Sequence, residues 1–251
     1  MKYNINEVID NIVNKMKEKQ VSIKSETELE NSDEPSIYYM LHIDNLDSIL
    51  KKGFLSHNLA HKLANIKDIS NIDVNNRRGD VKFNDGRSLH DYVPFYFNPR
   101  NAMLYSTQSR FSDNIIILEL NIRPLLKYIY KERNNEFLFS DGNASREDTS
   151  FYDAIEDLLD DGLFNFSDIY QTHWYNDTYV KSKMMSEVLI YNNIPINFIS
   201  YIHAQTKEIA DDVIQILKNE LRGKDECIFN LKKIWYGRGY RTVFFGTELV
   251  V

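Results

Sequence analysis

Apolar residues recur along this chain in two periods, and the change from one to the other outlines the elements. Ile5, Val8, Ile9, Ile12, Val13 and Met16 fall at helical spacing, which predicts an amphipathic helix over residues 4–19. A polar stretch, 22–36, links that helix to the body of the chain. Short β-rich runs follow: IYYMLH at 37–42, VPFYF at 93–97, IIILEL at 115–120, FLFS at 137–140, MMSEVLIY at 184–191, ISYIH at 199–203 and YRTVFF at 240–245. Between them the pattern predicts helices after Asp44, a good N-cap ahead of Leu46, Ile49 and Leu50 and closed by Gly53, and over 122–130, 154–159 and 207–221. Residues 56–88 carry few apolar runs and are expected to form a long, ligand-contacting loop.

The densest stretch is LHDYVPFYFNPRNAMLY at 89–105. Pro99 lacks a backbone donor and restricts Asn98 to extended conformations, so the strand stops there and a new element begins near Asn101. Such a strand-to-helix corner could offer the Tyr96 ring and the Arg100 cation to a ligand, but on these residues alone it reads first as a core strand with a solvent-facing arginine. About six short strands without regular βαβ alternation predict an α+β fold, and no internal repeat is present.

The chain has 251 residues and a formal charge of −7, enough length for a full core. The charge is uneven: residues 141–168 carry nine acidic side chains against Arg146, a net −8, which leaves the remainder at +1. A locally basic groove for phosphates is therefore compatible with the acidic total. The single Cys227 forms no intramolecular disulfide and reads as a small buried hydrophobe. The N-terminal residues mix lysines with Glu7, Asp10 and Glu18, unlike a signal peptide, and no stretch is apolar enough to span a bilayer. A cytosolic protein is expected.

Common catalytic motifs are missing. There is neither a Gly-rich phosphate loop nor a Gly-x-Ser-x-Gly elbow. His57 and His61 stand at i, i+4 but lack the acidic companion of a metalloprotease helix, so no metal is expected. Glu187 enters an otherwise apolar strand, an expensive position for a carboxylate unless it is paired or working. From 164 to 180 the density of aromatic residues is high for a loop; the rings either pack or stack on bases.

Four blocks then carry a resemblance: HIDNL at 42–46 with Ile49-Leu50, HDYVPFYFNPRNAMLY at 90–105, SDGNA at 140–144 and SEVLI at 186–190. In order and spacing, over roughly 37–204, they resemble the DarT-type DNA ADP-ribosyltransferase toxins. The resemblance implies a distant relative of the poly-ADP-ribose polymerase fold, with a split mixed β-sheet core and flanking helices. It divides the chain into an N-terminal helix and linker, 1–36, and one ADP-ribosyltransferase domain, 37–251, whose residues 204–251 complete or extend it. It also implies NAD as the ADP-ribose donor with no metal, single-stranded DNA as acceptor, a role as a toxin in phage defence, and an antitoxin partner that removes ADP-ribose from DNA.

By this resemblance Glu187 matches the catalytic glutamate. One of Arg77 and Arg78 matches an activity-supporting arginine, and both remain candidates. His42, Asn45, Tyr96, Met103 and Asn143 are the expected NAD-binding residues, with Tyr96 and Met103 lining the nicotinamide and acceptor pocket. Tyr170, Trp174, Tyr175 and Tyr179 are expected to stack on DNA bases, and Lys181 and Lys183 to meet phosphates. The chain departs from the family at Tyr38-Tyr39, at Asn143, where a histidine is usual, and at Met184-Met185-Ser186, where many members read Lys-Gln-Ala. The last change bears on the target base, for which thymidine is favoured and guanosine is the alternative. Two other readings stay open: an inactive nucleic-acid-binding module on the same fold, and a transferase with a protein acceptor.

Overall fold

The structure is a computed structural model and describes residues 4–27, 34–63, 65–220, 233–234 and 241–244. Cys227, residues 28–33 of the linker, Leu221, Tyr240 and Phe245 lie outside the described residues.

In chain order the elements are α1 (Ile5–Thr27), β1 (Ser36–His42), α2 (Leu46–Lys52), β2 (Phe54–Leu55), α3 (His57–Ala60), α4 (Ile72–Asp80), β3 (Tyr92–Tyr96), α5 (Ala102–Phe111), β4 (Ile115–Asn121), α6 (Ile122–Glu132), β5 (Phe137–Ser140), β6 (Phe151–Tyr152), α7 (Phe166–Ile169), α8 (Thr178–Lys183), β7 (Glu187–Tyr191), β8 (Asn193–Ile194), β9 (Ile199–Ala204), α9 (Lys207–Glu220), β10 (Lys233–Ile234) and β11 (Arg241–Phe244). The main sheet runs β10-β11-β9-β4-β1-β3-β7-β5-β6. The α+β class and the split sheet are as expected. Every described pairing is antiparallel, where a sheet of mixed direction was expected.

The split falls between β1 and β3. These strands share one register pair, Tyr38 opposite Tyr96, whereas β1 and β4 pair over seven residues and β3 and β7 over five. Pro94 explains how a proline sits inside the sheet. Phe97 N–H donates to Ser186 O at 3.2 Å, so the odd-numbered residues of β3 bond to β7 and position 94 faces the β1 side, where pairing has already opened.

Side-chain alternation sorts the sheet into two faces. Ile37, Leu41, Val93, Phe95, Phe97, Ile116, Leu118, Leu120, Phe137, Phe139, Val188, Ile190 and Ile202 point to one face and form the main core. Helices α1, α2, α6 and α9 bury their apolar stripes in the same cluster, including Val8, Ile9, Ile12, Val13 and Met16 of α1. The first helix is thus a brace on the core, and it extends to Thr27, beyond the expected 4–19. The other face takes Tyr38, Met40 and His42 from β1, Tyr96 from β3 and Glu187 from β7. Because Tyr96 pairs with Glu187 and Ser140 with Glu187, these residues line up across three strands on that face.

Several local expectations change. The 56–88 segment is ordered by α3, α4 and a bridge between Lys82 and Ser88. The strand expected at 184–191 starts at Glu187, because Met184, Met185 and Ser186 close a helical turn after α8. Residues 155–159 form a 3-10 turn, Ile155–Leu159, packed on α1.

Candidate active site

Glu187 is fully buried, and among the described residues one side chain bonds to its carboxylate. Arg78 Nη1 donates to Oε1 and Nη2 to Oε2, both at 2.9 Å, a fork-to-fork ion pair. Arg78 reaches it from α4, a nine-residue helix whose start Asn71 caps by accepting from the Asp73 and Val74 amides. Neighbouring helical positions diverge by ~100°, so only one of the two arginines can face the sheet. Arg77 is exposed, and the structure separates the candidates: Arg78 bonds to Glu187, and Arg77 does not.

Burial opposes the charge on Arg78, but Glu187 beside it more than compensates and raises its pKa above the ordinary arginine value, with Tyr96 adding to the effect. Tyr96 stands opposite Glu187 on β3; burial, and then the Glu187 carboxylate, push its hydroxyl well above the usual phenol range. A carboxylate has about four lone-pair sites, and the arginine fork takes two. The backbone N–H of Glu187 donates to Ser140 Oγ at 3.0 Å, while Ser140 Oγ donates to Gly142 O at 2.8 Å. The SDGNA block therefore anchors the strand that carries the glutamate. Its turn lies tight on α8: a Cβ at Gly142 would come 2.7 Å from Ser182 Oγ.

His42 ends β1 on the same face, buried and edge-on to Phe111. Its Nδ1 accepts from the Asp44 amide at 3.2 Å, so the neutral ring carries its proton on Nε2. Burial lowers the His42 pKa against the opposing pull of Asp44, and Lys67 lowers it further.

The other expected NAD residues divide between lining and scaffolding. Met103 lies in the first turn of α5, half-buried against the cluster of Tyr38, Met40, Tyr96, Leu104, Ile115, Ile117 and Met185. Asn45 uses its whole amide on Lys67, accepting from N–H at 2.9 Å and donating to O at 2.8 Å. That pair and Arg110, which donates to the Ile69 and Ser70 carbonyls, hold down the loop between α3 and α4. Asn143 accepts from the Ser145 amide and hydroxyl and donates to Met185 Sδ at 3.5 Å, bracing the turn beside the glutamate.

Of the expected DNA-stacking residues, Tyr170 is a correction. It is buried, stacked on Phe166 with centroids 5.7 Å apart, and belongs to the main core. The reason is local: α7 places Phe166, Ile169 and Tyr170 on one inward face. Tyr175 and Tyr179 are strongly exposed, at 84% and 57%, and Trp174 is half-buried against the exposed Tyr105 of α5 at 6.1 Å. Trp174 thus reaches the helix that follows the corner, while Tyr175 and Tyr179 carry the exposed rings of the same segment. Lys181 is exposed on α8, whereas Lys183 pairs with Asp141 at 3.0 Å and lies over the Tyr179 ring.

Two features escaped the sequence reading. Asn98 is fully buried and donates to the Ile169 and Gln171 carbonyls at 2.8 and 2.9 Å, fastening the corner to the aromatic segment. An Asn-Pro break signalled a turn but gave no sign of a long-range partner. Asp91 accepts from Ser88 and Asn58 and caps the turn before β3.

A buried glutamate held by an arginine on one face of a split antiparallel sheet, with a histidine at the end of the adjoining strand, suits the handling of a ribose and its leaving group. Residues 38–236 match the family model described as "ssDNA thymidine ADP-ribosyltransferase, DarT". The DNA ADP-ribosyl transferase of Thermus sp. is 29% identical over 208 residues, 80% of this chain and 95% of the relative. A Thermosipho africanus fusion of a DNA ADP-ribosyl transferase with a DNA ADP-ribosyl glycohydrolase is 29% identical over 188 residues, 73% of this chain and 46% of the fusion. Among solved structures, Thermus sp. 2.9 DarT in complex with ADP-ribosylated ssDNA superposes with a TM-score of 0.64 at 28% identity, covering 74% of this chain and 89% of that one. The same protein in complex with NAD+ gives 0.60 over the same shares. The chain belongs to the DarT family, and its class is that of NAD-dependent DNA ADP-ribosyltransferases.

Proposed function

We propose that this enzyme transfers one ADP-ribose from NAD to thymidine in single-stranded DNA, and that it is the toxin of a toxin–antitoxin pair acting in the cytosol and in phage defence. The observation that carries this reading is the buried Arg78–Glu187 pair on the sheet face that also carries Tyr96 and His42. Glu187 holds a hydroxyl of the nicotinamide ribose. As the bond from C1′ to the nicotinamide nitrogen breaks, nicotinamide leaves with the electron pair, and the fixed carboxylate stabilises the cationic ribose. Arg78 keeps Glu187 aimed through its two hydrogen bonds. Tyr96 and Met103 line the nicotinamide side, and His42 donates from Nε2 to the NAD. A base nitrogen then attacks C1′, and its proton passes to water as the new bond forms.

Single-stranded DNA suits this site because its bases reach a pocket without the unstacking penalty of a duplex. Trp174, Tyr175 and Tyr179 supply stacking surfaces, and Lys181 a phosphate contact. The family's description names thymidine, and the Thermosipho relative joins the transferase to a glycohydrolase, the activity expected of an antitoxin. Labelled NAD mixed with oligonucleotides that each contain a single base type tests the proposal. Label on the thymidine oligonucleotide alone supports it; guanosine labelling moves the acceptor, and label on protein in a lysate with none on DNA rejects a DNA acceptor.

A further inference from the structure

Behind α4, side chains from two segments converge on one point. His57 opens α3, His61 caps its C-terminus, and Asp68 comes from the loop that follows. Each offers a ligand atom, and the three lie within 4.8 Å of one another. The acidic companion that the His57–His61 spacing lacked within its helix is thus supplied seven residues further on.

His61 Nε2 and Asp68 Oδ2 are 3.4 Å apart, and the His57 and His61 ring centroids are 4.0 Å apart. Two ligands bound tetrahedrally at ~2.1 Å are separated by about 3.4 Å. The His61–Asp68 edge already has that length, and the cluster closes on an ion with small side-chain movements. Asp68 Oδ1 is occupied by the Ser70 amide at 2.7 Å, which orients the carboxylate and leaves Oδ2 toward the histidines. Two imidazoles and one carboxylate suit a borderline divalent ion, whereas calcium and magnesium take all-oxygen shells.

The surroundings connect the cluster to the active site. The His57 ring stacks on His90 with centroids 4.1 Å apart, and His90 Nε2 lies 3.0 Å from both the carbonyl and side-chain oxygens of Asn75 in α4. Gly79, next to Arg78, packs so closely that a Cβ there would sit 3.0 Å from the His90 ring.

We propose that His57, His61 and Asp68 bind one divalent transition-metal ion of the zinc and cobalt class, with water completing a four-coordinate shell. The ion ties α3 to the loop that leads into α4 and, through His90, steadies the helix that presents Arg78. It takes no part in the transfer chemistry.

The test uses tag-free, chelator-stripped full-length protein titrated with Co2+ and followed by the visible absorption of four-coordinate cobalt. The wild type is expected to develop these bands with one equivalent and to lose them when Zn2+ is added. His61→Ala and Asp68→Asn are expected to raise the cobalt Kd at least roughly tenfold, while His173→Ala, which removes a histidine outside the cluster, leaves it unchanged. Circular dichroism establishes that each variant is folded, and His61→Gln replaces His61→Ala if the latter is not. Absence of the bands in the wild type, or equal affinity in the folded cluster variants, overturns the proposal. Neither NAD nor DNA enters this readout, so its failure leaves the proposed transferase activity standing.

Discussion

Arg78 and Glu187, 109 residues apart in the chain, share two hydrogen bonds of 2.9 Å on the sheet face that carries Tyr96. The carboxylate is fully buried, and the arginine is the only described side chain recorded as bonding to it. Removing the arginine therefore strands a charge in the protein. Arg78→Ala is expected to abolish labelling of DNA and to destabilise the fold by up to about 3–5 kcal/mol, the range for breaking a buried pair from one side. Arg77→Ala is expected to stay within about 0.5 kcal/mol of wild type and to keep its activity. Denaturant melts and labelling assays on the two variants check this; equal losses would sink the assignment of Arg78.

Tyr170 and Tyr175 occupy the same aromatic stretch but opposite environments. Tyr170→Ala is expected to cost about 3–5 kcal/mol as a core cavity. Tyr170→Phe is expected to be neutral or slightly stabilising, because the buried hydroxyl has no hydrogen-bond partner among the described residues. A loss of DNA binding in a fully stable Tyr170→Phe variant would contradict its placement in the core.

Tyr175→Ala and Tyr179→Ala are expected to leave stability unchanged and to weaken binding of single-stranded oligonucleotides by about 1–3 kcal/mol for each stacked base lost. Fluorescence anisotropy with a labelled oligonucleotide measures this. Unchanged affinity in both variants would remove these rings from the DNA path.

His42 has a pKa lowered chiefly by burial. Between its folded value and the unfolded value of about 6.5, the unfolded chain binds more protons, so stability rises with pH there. The contribution of a neutral His42 is complete above about pH 6.5 and declines as pH falls toward the folded value. Urea midpoints at pH 7.5 and 5.5 should therefore drop less in His42→Asn than in wild type. An identical drop in both proteins would show that His42 does not titrate in this way.

The sequence reading located the main sheet because its signals are local. Alternation in IYYMLH and VPFYF, and the Asn98-Pro99 break, specify strands and a corner without reference to the rest of the fold. Glu187 stood out for a similar reason, as a carboxylate in an apolar strand. Choosing between Arg77 and Arg78 required the phase of α4 relative to the sheet, which adjacent positions in a polar segment do not reveal. Tyr170 went astray because aromatic density alone does not separate inward from outward rings; only the register of α7 does. Asn45 and Asn98 act through backbone atoms 22 to 73 residues away, and no short-range pattern records such partners.

The central claim is that Glu187, held by Arg78, drives transfer of ADP-ribose to a base. The most direct measurement is transfer of label from NAD to a single-stranded thymidine-containing oligonucleotide by wild type and by Glu187→Gln, which keeps the shape and removes the charge. A loss of roughly 10²–10³-fold or more, with a cooperative melt and retained NAD binding, is the predicted result. Labelling by folded Glu187→Gln at the wild-type rate would contradict it.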